Sequence, residues 1–258
     1  MFRSFRLGTL FGFPVHVNLT FLLLLAVVGL TMGGAVAIAV VLLAFASVLL
    51  HELGHALVAR HLGVRIDRIE LHFFGGAAQM TDHPRNAGDE IAIAAAGPAV
   101  SFALAGLSVL LAQVSGLGIF DLLARINLIL GAFNLLPALP MDGGRILRAL
   151  LSRRMGYARA TETSVKVTRV AAIGLGVLGL VSLQLYLVLL AVLLWIMGSV
   201  EQRAARSGLG DYPDAFDAYR HARERHGPSW SWRAQPPRAP GGFFVRRDGH
   251  RIIIERFE

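Results

Sequence analysis

Residues 17–50 read VNLTFLLLLAVVGLTMGGAVAIAVVLLAFASVLL, a run of 34 residues without a charged side chain. A single helix of that length would measure about 50 Å, which exceeds the roughly 30 Å hydrocarbon core of a bilayer. Gly33 and Gly34 interrupt the run. The run therefore predicts a short first membrane span followed by a second span that begins near residue 35.

The composition of the whole chain also favours a membrane protein. Hydrophobic residues make up 55% of its 258 residues and charged residues 16%, against roughly 25% charged in soluble domains. The net charge is +8, but the basic residues are confined between apolar runs, which argues against a nucleic-acid-binding face. The absence of cysteine excludes a disulfide scaffold, thiolate catalysis and cysteine-ligated metal centres.

Further charge-free runs occupy residues 91–120, 126–141 and 170–200. Turns expected at 115–118 and 182–184 divide the first and last of these runs, which predicts an all-α polytopic bundle of six transmembrane helices. One tilted helix over 170–200 would instead leave five. With six spans, 24 of the 25 basic residues lie on one side, so the positive-inside rule places both termini in the cytoplasm. We expect a multi-pass protein of the inner (plasma) membrane.

The chemistry is concentrated in His51-Glu-Leu-Gly-His55, directly after the first run. On a helix His51 and His55 share one face and can bind one metal ion, and Glu52 is placed to take a proton from water at that metal. Ionisable groups are costly inside a membrane and usually functional there. The alternative is that neighbouring helices satisfy two structural histidines.

A hydrolytic zinc site usually has three protein ligands. In apolar surroundings the candidates for the third are Asp121, Arg125 and Asp142. Asp121 and Arg125 can pair with each other at spacing i, i+4. Asp142 follows a segment with two prolines, and broken backbone at membrane depth is tolerated only where it lines a cavity. A cytoplasmic helix-capping aspartate is the alternative for Asp142.

Two motifs together, His51-Glu-Leu-Gly-His55 and Asn134-Leu-Leu-Pro-Ala-Leu-Pro-Met-Asp142-Gly-Gly-Arg, strongly resemble those of the site-2 protease family of intramembrane zinc metalloproteases. The resemblance covers roughly residues 7–200. Three weaker features agree with it: Phe11-Gly-Phe-Pro-Val-His16 before the first span, Phe73-Phe-Gly-Gly-Ala-Ala78 after the second, and Gly97-Pro-Ala-Val-Ser101 in the third.

The resemblance implies that His51, His55 and Asp142 bind one zinc ion per chain and that Glu52 is the general base. It also implies that Asn134 holds the substrate carbonyl or the developing oxyanion, although a hydrogen bond between helices would explain Asn134 equally well. The expected reaction is hydrolysis of a peptide bond within or near a transmembrane segment of a membrane protein. The implied partners are that protein or peptide, membrane lipid and, as an open question, a second copy in a homodimer.

Three other functions remain to be weighed. A zinc-binding membrane chaperone or pseudoprotease would not need Glu52. Another class of membrane zinc protease would use a glutamate of a later span as third ligand, but residues 170–200 contain none. An ion-coupled transporter would spread its polar groups over several spans, whereas here they cluster at one depth.

The remaining segments divide the chain into a protease domain at 1–200 and a cytoplasmic tail at 201–258. Residues 64–80 contain β-branched and aromatic positions and two glycines, which predicts a small membrane-associated β element. It could pair with an unwound substrate or simply pack as a surface hairpin. In the tail, residues 229–242 are typical of a linker, and Asp248-Gly249 between two β-prone runs predicts a hairpin.

The one-sided arginine distribution can be tested by cysteine labelling, because the natural chain contains no cysteine. Single cysteines in the three uncharged links should react with an impermeant reagent from outside the cell, and cysteines in the arginine-rich segments should not. The first set is Gly33, Gly116 and Gln184, and the second is Arg85, Arg159 and Arg220. Labelling of position 220 from outside would favour five spans.

Overall fold

The computed structural model describes residues 4–31, 34–72, 75–81, 84–206, 243–248 and 251–256, with side chains up to residue 203. Helices dominate these residues, and a small sheet lies among them. The predicted linker at 229–242 lies outside the described residues, as do Gly33, Phe73, Phe74 and Gly249.

The described part contains seven helices. They are α1 (Leu19–Thr31), α2 (Ala35–His61), α3 (Ala87–Ser115), α4 (Gly118–Asn134), α5 (Asp142–Met155), α6 (Tyr157–Val181) and α7 (Leu185–Arg206). The predicted breaks occur as expected, because α3 ends at Ser115 and α6 ends at Val181 before α7 begins. Gly116 ends α3 with φ at +68°, a left-handed conformation that glycine adopts without a steric penalty.

Four helices, namely α2, α3, α6 and residues 185–203 of α7, are long and apolar enough to cross a membrane. Helix α1 is apolar but shorter, and α4 has 17 residues. Length and composition therefore support four of the six predicted spans. Helix α5 was not predicted, since Arg145, Arg148, Arg153 and Arg154 give it no long apolar run.

The predicted β element belongs to a larger sheet than the sequence indicated. Strands β1 (Ser4–Leu10), β2 (Phe13–Asn18), β3 (Ile66–His72) and β4 (Gly75–Met80) lie in that order. The β1–β2 and β3–β4 pairs are antiparallel, and β2–β3 is parallel.

One face of this sheet packs on α2. Phe13 and Ile69 are buried with Leu53 and Ala56 of α2, and Val17 and Leu71 are buried in a neighbouring cluster. Alternate residues of β2 and β3 are buried, and they pack the sheet against α2 close to its two histidines.

Residues 218–258 form a separate unit. In it, β5 (Phe243–Asp248) and β6 (Arg251–Arg256) pair antiparallel, with Asp248 opposite Arg251. That register leaves two residues for the connection, which agrees with the predicted hairpin.

A buried ion network joins three helices next to the membrane bundle. Arg148 of α5 donates to Oε1 of Glu90 on α3 at 2.6 Å and to Oε1 of Glu201 on α7 at 2.7 Å. Burial of the guanidinium lowers the pKa of Arg148, but the carboxylates of Glu90 and Glu201 outweigh this effect and raise the pKa above its ordinary value. The arginine therefore stays charged and ties α5 to α3 and α7.

Glu90→Gln should lower the free energy of unfolding by about 3 kcal/mol, because a buried guanidinium loses one of its two compensating carboxylates. Asp67→Asn is the matched control, since Asp67 lies 3.5 Å from Arg68 and its side chain is about half exposed. It should cost less than about 1 kcal/mol. Thermal unfolding in detergent measures both variants, and equal losses would contradict a structural role for the buried network.

Candidate metal centre

His51 and His55 lie one turn apart on α2, and both are almost fully buried. Their ring centroids are 4.8 Å apart and the rings are nearly perpendicular. The pattern of the sequence therefore places two imidazoles on one helix face, as expected.

Asp142 reaches the same point from a different part of the chain. It is the first residue of α5, and its Oδ2 lies 3.1 Å from Nε2 of His51 and 3.2 Å from Nε2 of His55. The fold thus brings together three donors, of which the first and the last, His51 and Asp142, are 91 residues apart in the sequence. Two imidazoles and one carboxylate form a donor set that suits zinc and leaves a fourth position for water.

The other ring nitrogens of both histidines are held by α3. Nδ1 of His55 lies 2.6 Å from the carbonyl oxygen of Ile93, and Nδ1 of His51 lies 2.9 Å from Oγ of Ser101. Because a carbonyl oxygen can only accept, His55 donates from Nδ1, which leaves the Nε2 lone pair available to a metal. Sequence reasoning singled out the motif at 97–101 but assigned Ser101 no contact.

Glu52 also lies at the centre. Its carboxylate and the two imidazoles each offer a ligand atom within 4.8 Å of one another, so His51, Glu52 and His55 form an alternative ligand set. Oε2 of Glu52 accepts the N–H of Ala78 on β4 at 3.1 Å. We favour Asp142 as the third ligand, because one of its oxygens contacts both Nε2 atoms and the N–H of Ala78 directs Glu52 toward β4.

The packing around the histidines leaves no space for a side chain at position 97 of α3. A Cβ atom at Gly97 of α3 would overlap Nε2 of His55 and lie 2.5 Å from Nε2 of His51. Glycine at this position therefore lets α3 approach the two nitrogens while keeping their lone pairs accessible. This glycine is the first residue of the Gly97-Pro98 motif that the sequence analysis noted.

A cavity of about 550 Å³ opens onto the centre. Its walls are supplied by α2, β3, β4, α4, the segment before α5, α5 and α7. They include His51, Glu52, His55, His72, Gly76, Ala77, Ala78, Asn134, Asp142, Arg145, Leu190 and Met197. Apart from the candidate catalytic groups, most of the lining residues are apolar, and the other polar side chains are His72 and Arg145. The cavity can therefore admit an apolar peptide segment.

Asn134 and Arg145 line this cavity at the ends of α4 and α5. Nδ2 of Asn134 donates to the carbonyl oxygen of Leu130 at 3.0 Å, within its own helix. Arg145, which the sequence analysis did not propose, places Nη1 3.9 Å from Oδ1 of Asp142. A guanidinium there offsets the charge of the carboxylate, and the spacing of the two residues along α5 was the available signal.

Comparison with known families identifies the same region. The sequence profile of Peptidase family M50 matches residues 37–124 and 112–175. Together the two matches span more than half of the chain and include both histidines, Glu52, Asn134 and Asp142.

Two curated relatives and one solved structure are similar to this chain. A zinc metalloprotease of Methanocaldococcus jannaschii is 38% identical over 208 residues, which cover 78% of this chain and 61% of the relative. The putative zinc metalloprotease Rip3 of Mycobacterium tuberculosis is 38% identical over 198 residues, covering 67% of this chain and 50% of the relative. The chain therefore spans only half to three-fifths of the length of these relatives.

The solved structure is the site-2 protease from Methanocaldococcus jannaschii. It superposes with a TM-score of 0.63 at 35% sequence identity, covering 78% of this chain and 95% of that chain. The similarity therefore includes the fold around the candidate centre.

Gly97→Ala should abolish metal binding, because the added methyl group would occupy the space in front of the two Nε2 atoms. Gly106→Ala is the matched control, since it lies on the same helix and a Cβ there has no neighbour within 4 Å among the residues that the structure describes. Metal content per chain after purification measures the effect. Normal metal content in Gly97→Ala would contradict the placement of the metal at these nitrogens.

Proposed function

The chain belongs to peptidase family M50, the site-2 protease family, and on that basis we propose that it is an intramembrane zinc metalloprotease. It would hydrolyse a peptide bond within or near a transmembrane segment of a membrane protein. The observation that carries this proposal is the convergence of His51, His55 and Asp142 beside Glu52 at an apolar cavity.

His51, His55 and Asp142 would hold one zinc ion per chain. When bound, zinc supplies Lewis acidity that polarises the peptide carbonyl and lowers the pKa of water to about 7. Ser101 and the carbonyl of Ile93 orient the imidazoles. Such partners commonly strengthen metal binding, because they fix the tautomer and the ring orientation.

Glu52 would accept a proton from the attacking water and deliver it to the nitrogen of the leaving amine. The N–H of Ala78 holds Oε2 of its carboxylate, which orients the base toward the cavity. A Cβ at Gly76 would lie 2.7 Å from Cγ of Glu52, so β4 and the base are in close contact.

Strand β4 would bind the substrate as an added strand. Among the strands that the structure describes it is the last of the sheet, with β3 on one side only, and Gly76, Ala77 and Ala78 line the cavity. The N–H of Ala78 is directed at Glu52, so a peptide paired along the free edge of β4 would pass beside the base. Hydrolysis requires such an extended backbone, because a helix engages its carbonyls in its own hydrogen bonds.

Asn134 would stabilise the oxyanion. Its amide group carries two N–H bonds, and one of them is engaged by the carbonyl of Leu130. The other could donate to the substrate carbonyl oxygen as negative charge develops there. The position of Asn134 in the cavity wall supports this role.

In the cell we propose a multi-pass protein of the inner (plasma) membrane with six spans and both termini in the cytoplasm. Helices α1 and α4 would supply the two shorter spans beside the four long ones. The protease domain would end near residue 200 and the tail would occupy 201–258. Membrane lipid would surround the bundle, whose helices expose apolar side chains such as Leu30 and Val170. The homodimer stays a prediction.

The competing function is a zinc-binding membrane chaperone or pseudoprotease. Its binding site would require the metal ligands but not a base beside them. The oriented carboxylate of Glu52 at the cavity argues for hydrolysis.

Substitution should separate metal binding from proteolysis. Glu52→Gln should keep about one zinc per chain and lose proteolysis by roughly a hundredfold or more, because the proton acceptor is lost. His51→Ala and Asp142→Ala should lose both zinc and activity. Asp121→Ala, which removes an exposed carboxylate of α4, is the matched control and should change neither.

The measurements are metal content and cleavage of transmembrane substrates. Comparing membrane fragments across the proteome between wild type and Glu52→Gln would identify those substrates. Full zinc content and full activity in Asp142→Ala would refute the assignment of Asp142 as the third ligand. If Glu52→Gln gives the same membrane fragments as wild type, the chaperone function is favoured instead.

A further inference from the structure

The segment at 135–141, between α4 and α5, determines where Asp142 lies. Its centre is buried, and the side chain of Leu139 has no exposed surface. The backbone N–H of Leu139 donates to Oγ1 of Thr168 on α6 at 2.8 Å. A buried backbone donor needs such a partner, and here a side chain of another helix supplies it.

The hydroxyl of Thr168 is oriented to accept this bond. Thr168 is fully buried, and its hydroxyl donates to the carbonyl oxygen of Ser164 at 2.9 Å. Because the hydroxyl hydrogen is engaged there, a lone pair of the oxygen faces the N–H of Leu139. Two hydrogen bonds in series therefore link the backbone of α6 to the segment before Asp142.

The segment cannot shift without moving Asp142. A Cβ at Gly143 would overlap the carbonyl of Leu135, and a Cβ at Gly144 would overlap the backbone of Ala138. The N–H of Met141 also donates to the carbonyl oxygen of Ala138 at 2.9 Å. The first turn of α5 thus lies directly on the segment, and a closely packed contact transmits displacement.

We propose that Thr168 is a positioning residue that holds Asp142 at the zinc ligand position through the N–H of Leu139. The inference rests on the proposed metal site, and Thr168 itself contacts neither metal nor substrate. Loss of the hydroxyl leaves a buried N–H without an acceptor, so the segment would move to find one and would carry Asp142 away from the two imidazoles.

The same helix offers a matched control. Thr161 is also buried, and its hydroxyl donates to the carbonyl oxygen of Tyr157 at 3.0 Å, as Thr168 does to Ser164. Among the described residues no backbone N–H donates to Thr161. The two threonines therefore differ in the feature that the proposal invokes.

The test is the rate at which zinc leaves the full-length protein in detergent when an excess of chromogenic chelator is added. Thr168→Val should release zinc about tenfold faster than wild type, as expected when a partner that orients a metal ligand is lost. Thr161→Val should stay within about twofold. Thr168→Ser should also stay within about twofold, because it keeps the hydroxyl and loses the methyl group that lies near Gly198.

Hydrogen exchange of a peptide covering residues 135–141 provides a second readout. Exchange should be faster in Thr168→Val and unchanged in the other two variants. If Thr168→Val does not fold, Thr168→Ala compared with Thr168→Ser isolates the same hydroxyl. Equal zinc release from Thr168→Val and Thr161→Val, or rapid release from Thr168→Ser, would overturn the proposal.

These outcomes are separable from the proposed activity, since zinc release is measured without substrate. If the wild type binds zinc but cleaves no substrate, the proposed protease activity is refuted. The zinc release rates of the variants then still decide the role of Thr168. A wild type that cleaves while Thr168→Val releases zinc normally would refute the role of Thr168 alone. A wild type that binds no zinc would overturn both.

Discussion

Oδ2 of Asp142 lies 3.1 Å from Nε2 of His51 and 3.2 Å from Nε2 of His55, inside a bundle whose outer surface is apolar. Polar atoms in such surroundings are costly unless each has a partner. The neighbouring structure supplies those partners, with α3 holding the far nitrogens of both rings and leaving glycine at position 97 where any larger residue would fill the site.

Glu52 connects this centre to the sheet. The carboxylate takes its orientation from the N–H of Ala78, so the strand proposed to bind substrate also orients the proposed base. Strand β4 is held in turn by β3, which packs on α2 through Ile69. Helix α2, which carries the two histidines, and strand β4 are therefore parts of one packed unit. A peptide that pairs with β4 would lie close to both Glu52 and the proposed metal ligands.

Asp142 depends on longer connections than the histidines do. Helix geometry places two histidines one turn apart on the same face of α2. Asp142 is positioned by the segment before it, by Thr168 of α6 and by the Arg148 network that ties α5 to α3 and α7. The position of Asp142 therefore depends on contacts between several helices of the bundle, and the hydrophilic helix α5 makes part of them.

The sequence by itself determined the features that depend on local pattern: the apolar helices, their breaks near residues 116 and 183, the histidine pair with Glu52, and the tail hairpin. Motifs and a family resemblance in the sequence also predicted Asp142 as a metal ligand and Asn134 as a catalytic residue. Only the tertiary structure revealed helix α5, the four-stranded sheet, and the contacts of Ser101, Gly97 and Thr168. Those contacts join residues tens of positions apart, and their side chains carry no periodicity that a sequence pattern can detect. Close packing between helices decides them.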